Sequence, residues 1–201
     1  MAHAYHTIAF TEAVKALQEQ RGSRASYARF EEGPDRGDRI GPDEAAFIAA
    51  RDSFYMASTS VTGWPYVQHR GGPVGFVRVL DEKTLGFADF SGNRQYVSLG
   101  NIQSEDRVSL FFMDYANRAR LKLFGHASVI DPAEEETLAK LAMPAYPGQV
   151  ERGIAIKLTA FDWNCPQHIT PRYSEAQVAQ VVDTLTARVA ELEARLAKAE
   201  S

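Results

Sequence analysis

Apolar residues in the middle of the chain alternate with polar ones over short runs, whereas those near both ends recur at helical spacing. Alternation sends successive side chains to opposite faces of a strand, and steps of three and four gather them on one face of a helix. The pattern predicts strands over 54–59, 66–70, 74–80, 84–89, 108–114, 120–130 and 154–161. Thr62-Gly63, Glu82-Lys83 and Asn117-Arg118 fall at turns between them. Helices are expected over 12–20, with Thr11 as N-cap, Val14 and Leu17 on one face and Gly22 at the end, and from Pro42 to about Arg51. Further helices are expected over 93–101 and, opened by Asp131-Pro132, over 133–142. Residues 21–41 are polar and glycine-rich and read as an extended loop or arm. Six or more closely spaced strands with few helices indicate a mainly β barrel or sandwich with peripheral helices.

The C-terminal segment differs in kind. Val178, Val182, Leu185, Val189, Leu192 and Leu196 recur at steps of four and three, the a/d pattern of a heptad helix. So narrow a seam requires a partner, either the chain's own barrel or the same helix of a second copy. The expected division is an N-terminal helix and arm (1–41), a barrel domain (42–173) and a C-terminal coiled-coil-like helix (174–201).

Composition narrows the chemistry. The 201 residues are 45% hydrophobic and 24% charged, as in a water-soluble globular domain, and the net charge of −4 offers no general attraction for nucleic acid. Basic groups instead cluster locally (Arg70, Arg78, Arg94, Arg118, Arg120 and Lys122), which suits a small anion. No apolar run approaches the length of a membrane span, and the N-terminus lacks a basic region followed by an apolar one. One cysteine, Cys165, excludes an internal disulfide and fits a reducing compartment, so a cytoplasmic location is expected.

Three segments carry candidate chemistry. Ser91-Gly92-Asn93-Arg94-Gln95 joins an apolar strand to an expected helix, where backbone N–H groups and Arg94 suit an anion, although the Gly-Lys-Ser/Thr ending of a Walker loop is missing. Gln68 and Arg70 project to one face of a strand and His69 to the other, before Gly71-Gly72. Each of these also reads as an ordinary connection. Trp163-Asn164-Cys165-Pro166-Gln167-His168 can stack or hydrogen-bond, but neither a catalytic cysteine nor a metal site is expected there, because no other histidine shows ligand spacing to Cys165. Glu134-Glu135-Glu136 reads as a favourable helix start, and no catalytic acid, base or nucleophile stands out.

Taken in order, these motifs resemble the pyridoxamine 5′-phosphate oxidase-like superfamily of flavin-binding split barrels, and within it a subgroup described as flavin-nucleotide-binding proteins. The resemblance runs from about residue 40 to 173. It is carried by Phe47 to Tyr55, Gly63 to Pro73, Gly75 to Leu80, Phe87 to Tyr96, Met113-Asp114-Tyr115 and Trp163 to Ile169. It implies a six-stranded split barrel acting as a homodimer, with flavin mononucleotide (FMN) bound at the subunit interface. It further implies that Ser91, Asn93, Arg94 and Gln95 lie near the phosphate and that Gln68, His69 and Arg70 run along the isoalloxazine. Arg118 and Arg120 would come from the other subunit, and Trp163 and Arg172 would match a Trp and an Arg of the oxidase site.

The departures matter as much. The oxidase's Arg-x-Val-Leu-Leu-Lys strand and its terminal Arg-x-His motif are absent, so the resemblance implies a flavoprotein other than the vitamin B6 oxidase. The expected activity is an FMN-dependent oxidoreductase of unassigned substrate that takes electrons from reduced nicotinamide or a transfer partner. The competing expectation is a non-catalytic flavin or haem carrier or sensor. Haem and the deazaflavin F420 are alternative ligands, with His69 or His168 the first candidates on iron.

Overall fold

A computed structural model describes residues 3–31, 36–131, 133–163 and 165–199. Among these residues seven strands form one mainly antiparallel sheet: β1 (Ser53–Thr59), β2 (Pro65–Gly71), β3 (Val77–Asp81), β4 (Thr84–Phe90), β5 (Arg107–Asp114), β6 (Ala119–Val129) and β7 (Val150–Trp163), in the order β2-β1-β5-β6-β7-β4-β3. Every strand expected from alternation is present, one more than the resemblance implied. Among the described residues β2 and β3 are edges, so the sheet does not close by strand pairing. The fold is the mainly β split barrel with helices that was expected.

Alternation sets the core. Phe54 and Met56 of β1, Leu110 and Phe112 of β5 and Leu121 and Leu123 of β6 all point inward and are fully buried. Phe54 stacks on Phe112 at 4.9 Å and meets Phe87 edge-on at 5.3 Å. Each such ring removed from water contributes about 1.5–3 kcal/mol. β4 departs from alternation because it is covered on both faces. Phe87 and Leu85 enter the main core, while Ala88 packs with Ile130 and Leu141 beneath helix α6 (Glu135–Leu141). Gly125 is required where β6 shifts register against β7, since a Cβ there would lie 2.6 Å from the Lys157 carbonyl oxygen.

The other helices are α1 (Ala4–Ala9), α2 (Glu12–Gln20), α3 (Arg24–Ala28), α4 (Pro42–Ala49), α5 (Val97–Ser104) and α7 (Glu175–Ala199). Thr11 caps α2 as expected, its hydroxyl accepting from the Val14 N–H at 3.4 Å. Its inner face is not the expected one: Gln18 is buried and Leu17 is 59% exposed, because the Gln18 side chain accepts from Arg24 at 3.1 Å and holds the following turn. In α4 the Glu44 carboxylate accepts from the Gly41 N–H at 3.0 Å, with Pro42 in the first turn.

Three expectations need correction. Residues 21–41 are not simply extended: residues 24–28 are helical, and Arg36 bridges to His3, while residues 32–35 lie outside the described ones. The helix expected at 93–101 starts only at Val97, because Arg94 and Tyr96 adopt left-handed backbone (φ 59° and 54°). The helix expected at 133–142 spans Glu135–Leu141, and Pro132 lies outside the described residues.

The chain divides into two compact units, residues 1–113 with 119–165, and residues 114–118 with 166–201. In the second, Asn117 Nδ2 donates to Asp114 Oδ2 at 3.0 Å and α7 forms over the heptad segment. Val178, Val182, Leu185, Val189, Leu192 and Leu196 are all exposed. No helix among the described residues is long and apolar enough to cross a membrane.

Candidate functional site

The connection from β4 to α5 forms one wall of a cleft of about 200 Å³. Its lining comprises Gln68 and Arg70 of β2, Asp89 and Phe90 of β4, Gly92, Asn93, Arg94 and Tyr96 of the connection, Val97, Ser98 and Leu99 of α5, and Glu151 and Arg152 of β7. The connection is fixed locally: Asn93 Oδ1 accepts from the Gln95 N–H at 3.2 Å, and the Ser91 N–H donates to the Gln149 carbonyl at 2.7 Å. Two non-glycine residues in left-handed backbone within three positions is an uncommon arrangement, and strain of this kind concentrates at binding sites.

Asp89 organises the cationic side of the cleft. Its Oδ1 accepts from Arg70 Nη1 at 2.6 Å and its Oδ2 from Arg152 Nη1 at 3.1 Å. Arg152 Nη2 also donates to Glu151 Oε2 at 2.6 Å, and its guanidinium lies over the Tyr96 ring at 5.2 Å. The Tyr96 hydroxyl accepts from Arg94 Nε at 3.2 Å and donates to Glu151 Oε1 at 3.5 Å. The Tyr96 hydroxyl, with Glu151 nearby, holds the Arg94 guanidinium above its ordinary pKa. Three guanidiniums therefore meet two carboxylates, leaving a net positive cleft.

Two polar atoms here have no protein partner. Among the described residues, Arg70 Nε and Ser98 Oγ are buried without a hydrogen bond. Leaving such groups unpaired costs about 1–3 kcal/mol each, so they fit an acceptor-rich ligand, as a phosphate is.

The structure thus brings Gln68, Arg70, Asn93 and Arg94 together. Ser91 and Gln95 belong to the same connection but do not line the cleft. His69 points to the other face of β2, edge-on to Tyr55 at 5.6 Å. Trp163 Nε1 donates to Glu44 Oε1 at 2.7 Å and its ring meets Phe47 at 4.8 Å, tying the end of β7 to α4. Arg120 lies on β6 with its Nε buried and unpartnered. In the second unit, Arg118 has left-handed backbone (φ 53°), and the Arg172 guanidinium lies over the Tyr115 ring at 4.9 Å.

Sequence reading missed Asp89, Tyr96, Ser98, Glu151 and Arg152. Asp89 ends a run of strand residues and Arg152 lies far along the chain, so only the pairing of β4 with β7 makes them neighbours.

The mainly β split barrel, with an arginine-lined cleft at a strand-to-helix connection, defines the class of fold to which the chain belongs. Residues 40–162 match the family described as pyridoxamine 5′-phosphate oxidase, and the chain belongs to that family. No curated protein sequence matches the chain. Among solved structures it is similar to HupZ of Group A Streptococcus, at 15% identity and TM-score 0.48 over 67% of this chain and 99% of that one. It is also similar to an FMN-binding protein from Syntrophomonas wolfei, at 11% identity and TM-score 0.44 over 60% and 83% of the two chains. A third is a Clostridium acetobutylicum protein related to general stress protein 26, of the pyridoxinephosphate oxidase family, at 14% identity and TM-score 0.42 over 64% and 88%.

Proposed function

We propose that the protein is an FMN-binding flavoprotein and an oxidoreductase other than the vitamin B6 oxidase. The observation that carries this reading is the convergence of Arg70, Arg94 and Arg152 on one cleft in which Arg70 Nε and Ser98 Oγ lack protein partners. A phosphate monoester presents several acceptor oxygens and up to two negative charges, which matches that donor set. Family membership supports a flavin as the molecule bearing the phosphate.

In this reading Arg94, Asn93 and the Ser98 hydroxyl hold the phosphate, with Ser91 and Gln95 shaping the loop behind them. Asp89 fixes the directions of the Arg70 and Arg152 forks, so their donors stand ready rather than being ordered on binding. Gln68 presents its amide toward the cleft, its Oε1 taken by the Tyr66 hydroxyl at 2.8 Å, which leaves the NH₂ free to donate. A cleft of about 200 Å³ falls below the roughly 300–1,000 Å³ of ligand sites. That supports a site completed by a second copy, in which Arg118, Arg120, Trp163, Arg172 and the His69 face of β2 serve the rest of the flavin. When bound, the flavin supplies hydride and electron transfer, and the chain's task is to bind, orient and exclude water. Reduced nicotinamide or an electron-transfer protein is the expected donor.

The test is the visible spectrum of the purified chain, followed by titration with FMN and with riboflavin. Flavin bands and a marked preference for FMN over riboflavin are expected. A chain that takes up no FMN overturns the proposal, and a Soret band or retained F420 replaces the ligand.

A further inference from the structure

Residues 3–31 lie before the family match, and their folding does something specific. α1 docks on the barrel through Tyr5, whose ring stacks on Phe124 of β6 at 4.4 Å and lies under the Lys122 ammonium at 4.5 Å. Flanking Tyr5, His3 and His6 occupy one face of the first helical turn, three positions apart. Both rings turn toward Asp162 at the end of β7: His3 Nε2 is 3.8 Å and His6 Nε2 4.0 Å from the same oxygen, Oδ1. These separations exceed a hydrogen bond. Among the described residues, neither ring makes a side-chain hydrogen bond, and both Nδ1 atoms are buried without a partner.

The surroundings hold this arrangement in place. The His6 ring is boxed by His3 at 4.5 Å, Phe10 at 4.5 Å, and Tyr27 and Phe30 at 5.9 Å each. The His3 N–H donates to the Phe30 carbonyl at 2.7 Å. Gly37, with φ of 76°, lies so close that a Cβ there would stand 3.1 Å from His3 Cε1 and 2.7 Å from the Phe161 carbonyl oxygen. Lys122, the cross-strand neighbour of Asp162, occupies the other carboxylate oxygen, Oδ2, at 3.0 Å and so leaves Oδ1 to the imidazoles.

We propose that His3, His6 and Asp162 form a binding site for a borderline divalent transition-metal cation, Zn²⁺ being the best match. Two imidazole nitrogens and one carboxylate oxygen are a common zinc donor set, with water in the remaining position. The three ligand atoms lie within 4.8 Å of one another. Bonds of roughly 2.0–2.1 Å need neighbouring ligand atoms roughly 3–3.5 Å apart, so the two His–Asp162 separations contract by about half an ångström and the widest separation by about 1.5 Å, through rotation of the side chains. Imidazoles stacked as closely as these gain from a cation that both can ligate, and the free Oδ1 of Asp162 supplies an anionic ligand beside them. The ion would clip the N-terminal helices to the barrel, joining segments more than a hundred residues apart. This site is independent of the FMN reading.

The test uses the full-length chain after treatment with chelator, titrated with Zn²⁺ by calorimetry and with Co²⁺ by visible spectroscopy. One equivalent of Zn²⁺ at micromolar affinity or tighter is expected, with Co²⁺ d–d bands and a higher melting temperature. His6→Gln and Asp162→Asn should each weaken binding by more than about ten-fold and abolish the Zn²⁺-dependent rise in melting temperature. His126→Gln, at an exposed histidine paired with Asp106, should change neither. His3→Gln, at the more exposed of the two rings, repeats the test should His6→Gln fail to fold. Absence of stoichiometric Zn²⁺ uptake by the unaltered chain, or undiminished affinity in folded Asp162→Asn, overturns the proposal.

Discussion

Asp89 and Arg152 are direct cross-strand partners on β4 and β7, and Arg152 Nη1 donates to Asp89 Oδ2 at 3.1 Å. With Arg70 on the other oxygen at 2.6 Å, one carboxylate positions two of the three guanidiniums of the cleft. Both are partly withdrawn from water, so the pairing is screened less than a surface ion pair.

Replacing Asp89 with Ala should therefore act twice. It leaves two guanidiniums without their shared acceptor, costing about 1–3 kcal/mol of stability in denaturant titration. It should also weaken FMN binding, because the remaining guanidiniums repel each other and lose their direction. Unchanged affinity would show that the network is structural alone.

Arg94→Ala removes a positive group from the connection without touching the core. FMN affinity should fall by about ten-fold or more, while riboflavin affinity, lacking the phosphate, should change little. Equal losses for both ligands would place Arg94 away from the phosphate.

Removing residues 174–201 tests what the exposed seam of α7 does. If the helix pairs with that of a second copy, the truncated chain should show a weakened dimer by light scattering across a dilution series. An unchanged mass at every concentration would assign dimer formation elsewhere.

Phe54 lies at the centre of a four-ring cluster with Phe76, Phe87 and Phe112. Phe54→Ala should cost about 3–5 kcal/mol in equilibrium unfolding. A loss below about 1 kcal/mol would mean that the barrel collapses around the missing ring.

The Asp38–Lys83 pair makes stability depend on pH. Lys83 Nζ donates to Asp38 Oδ2 at 2.9 Å and holds the carboxyl below its usual pKa. A depressed folded pKa contributes stability above the unfolded value, and that contribution disappears as pH falls through the folded value. Lys83→Met should cost up to ~1 kcal/mol above about pH 4 and converge with the unaltered chain in stronger acid. A constant difference across that range would rule out the pair as its source.

Much of the architecture is readable from local pattern. Alternation in β1, β5 and β6 marks Phe54, Leu110, Leu121 and their neighbours as inward, because a strand has only two faces. Thr11 before α2 and Pro42 in the first turn of α4 state their helix starts in neighbouring residues. The ordered motifs from Phe47 to Tyr96 point to the family that the match over residues 40–162 shows. Part of the cleft was legible in the same way, since Gln68 and Arg70 share a strand face and Asn93 and Arg94 a single loop.

What stayed hidden depends on register and chain reversal. The delayed start of α5 follows from left-handed backbone at Arg94 and Tyr96, residue types that do not announce it. Glu151 and Arg152 reach the cleft only because β7 pairs with β4, and a slip of one residue would turn both side chains to the opposite faces. His3 and His6 look like ordinary residues of a polar N-terminus until α1 docks through Tyr5 and brings them to Asp162. Periodicity and caps are local and travel with the residues themselves. Convergence of distant charges is a property of the folded sheet, and there the chemistry of this protein was decided.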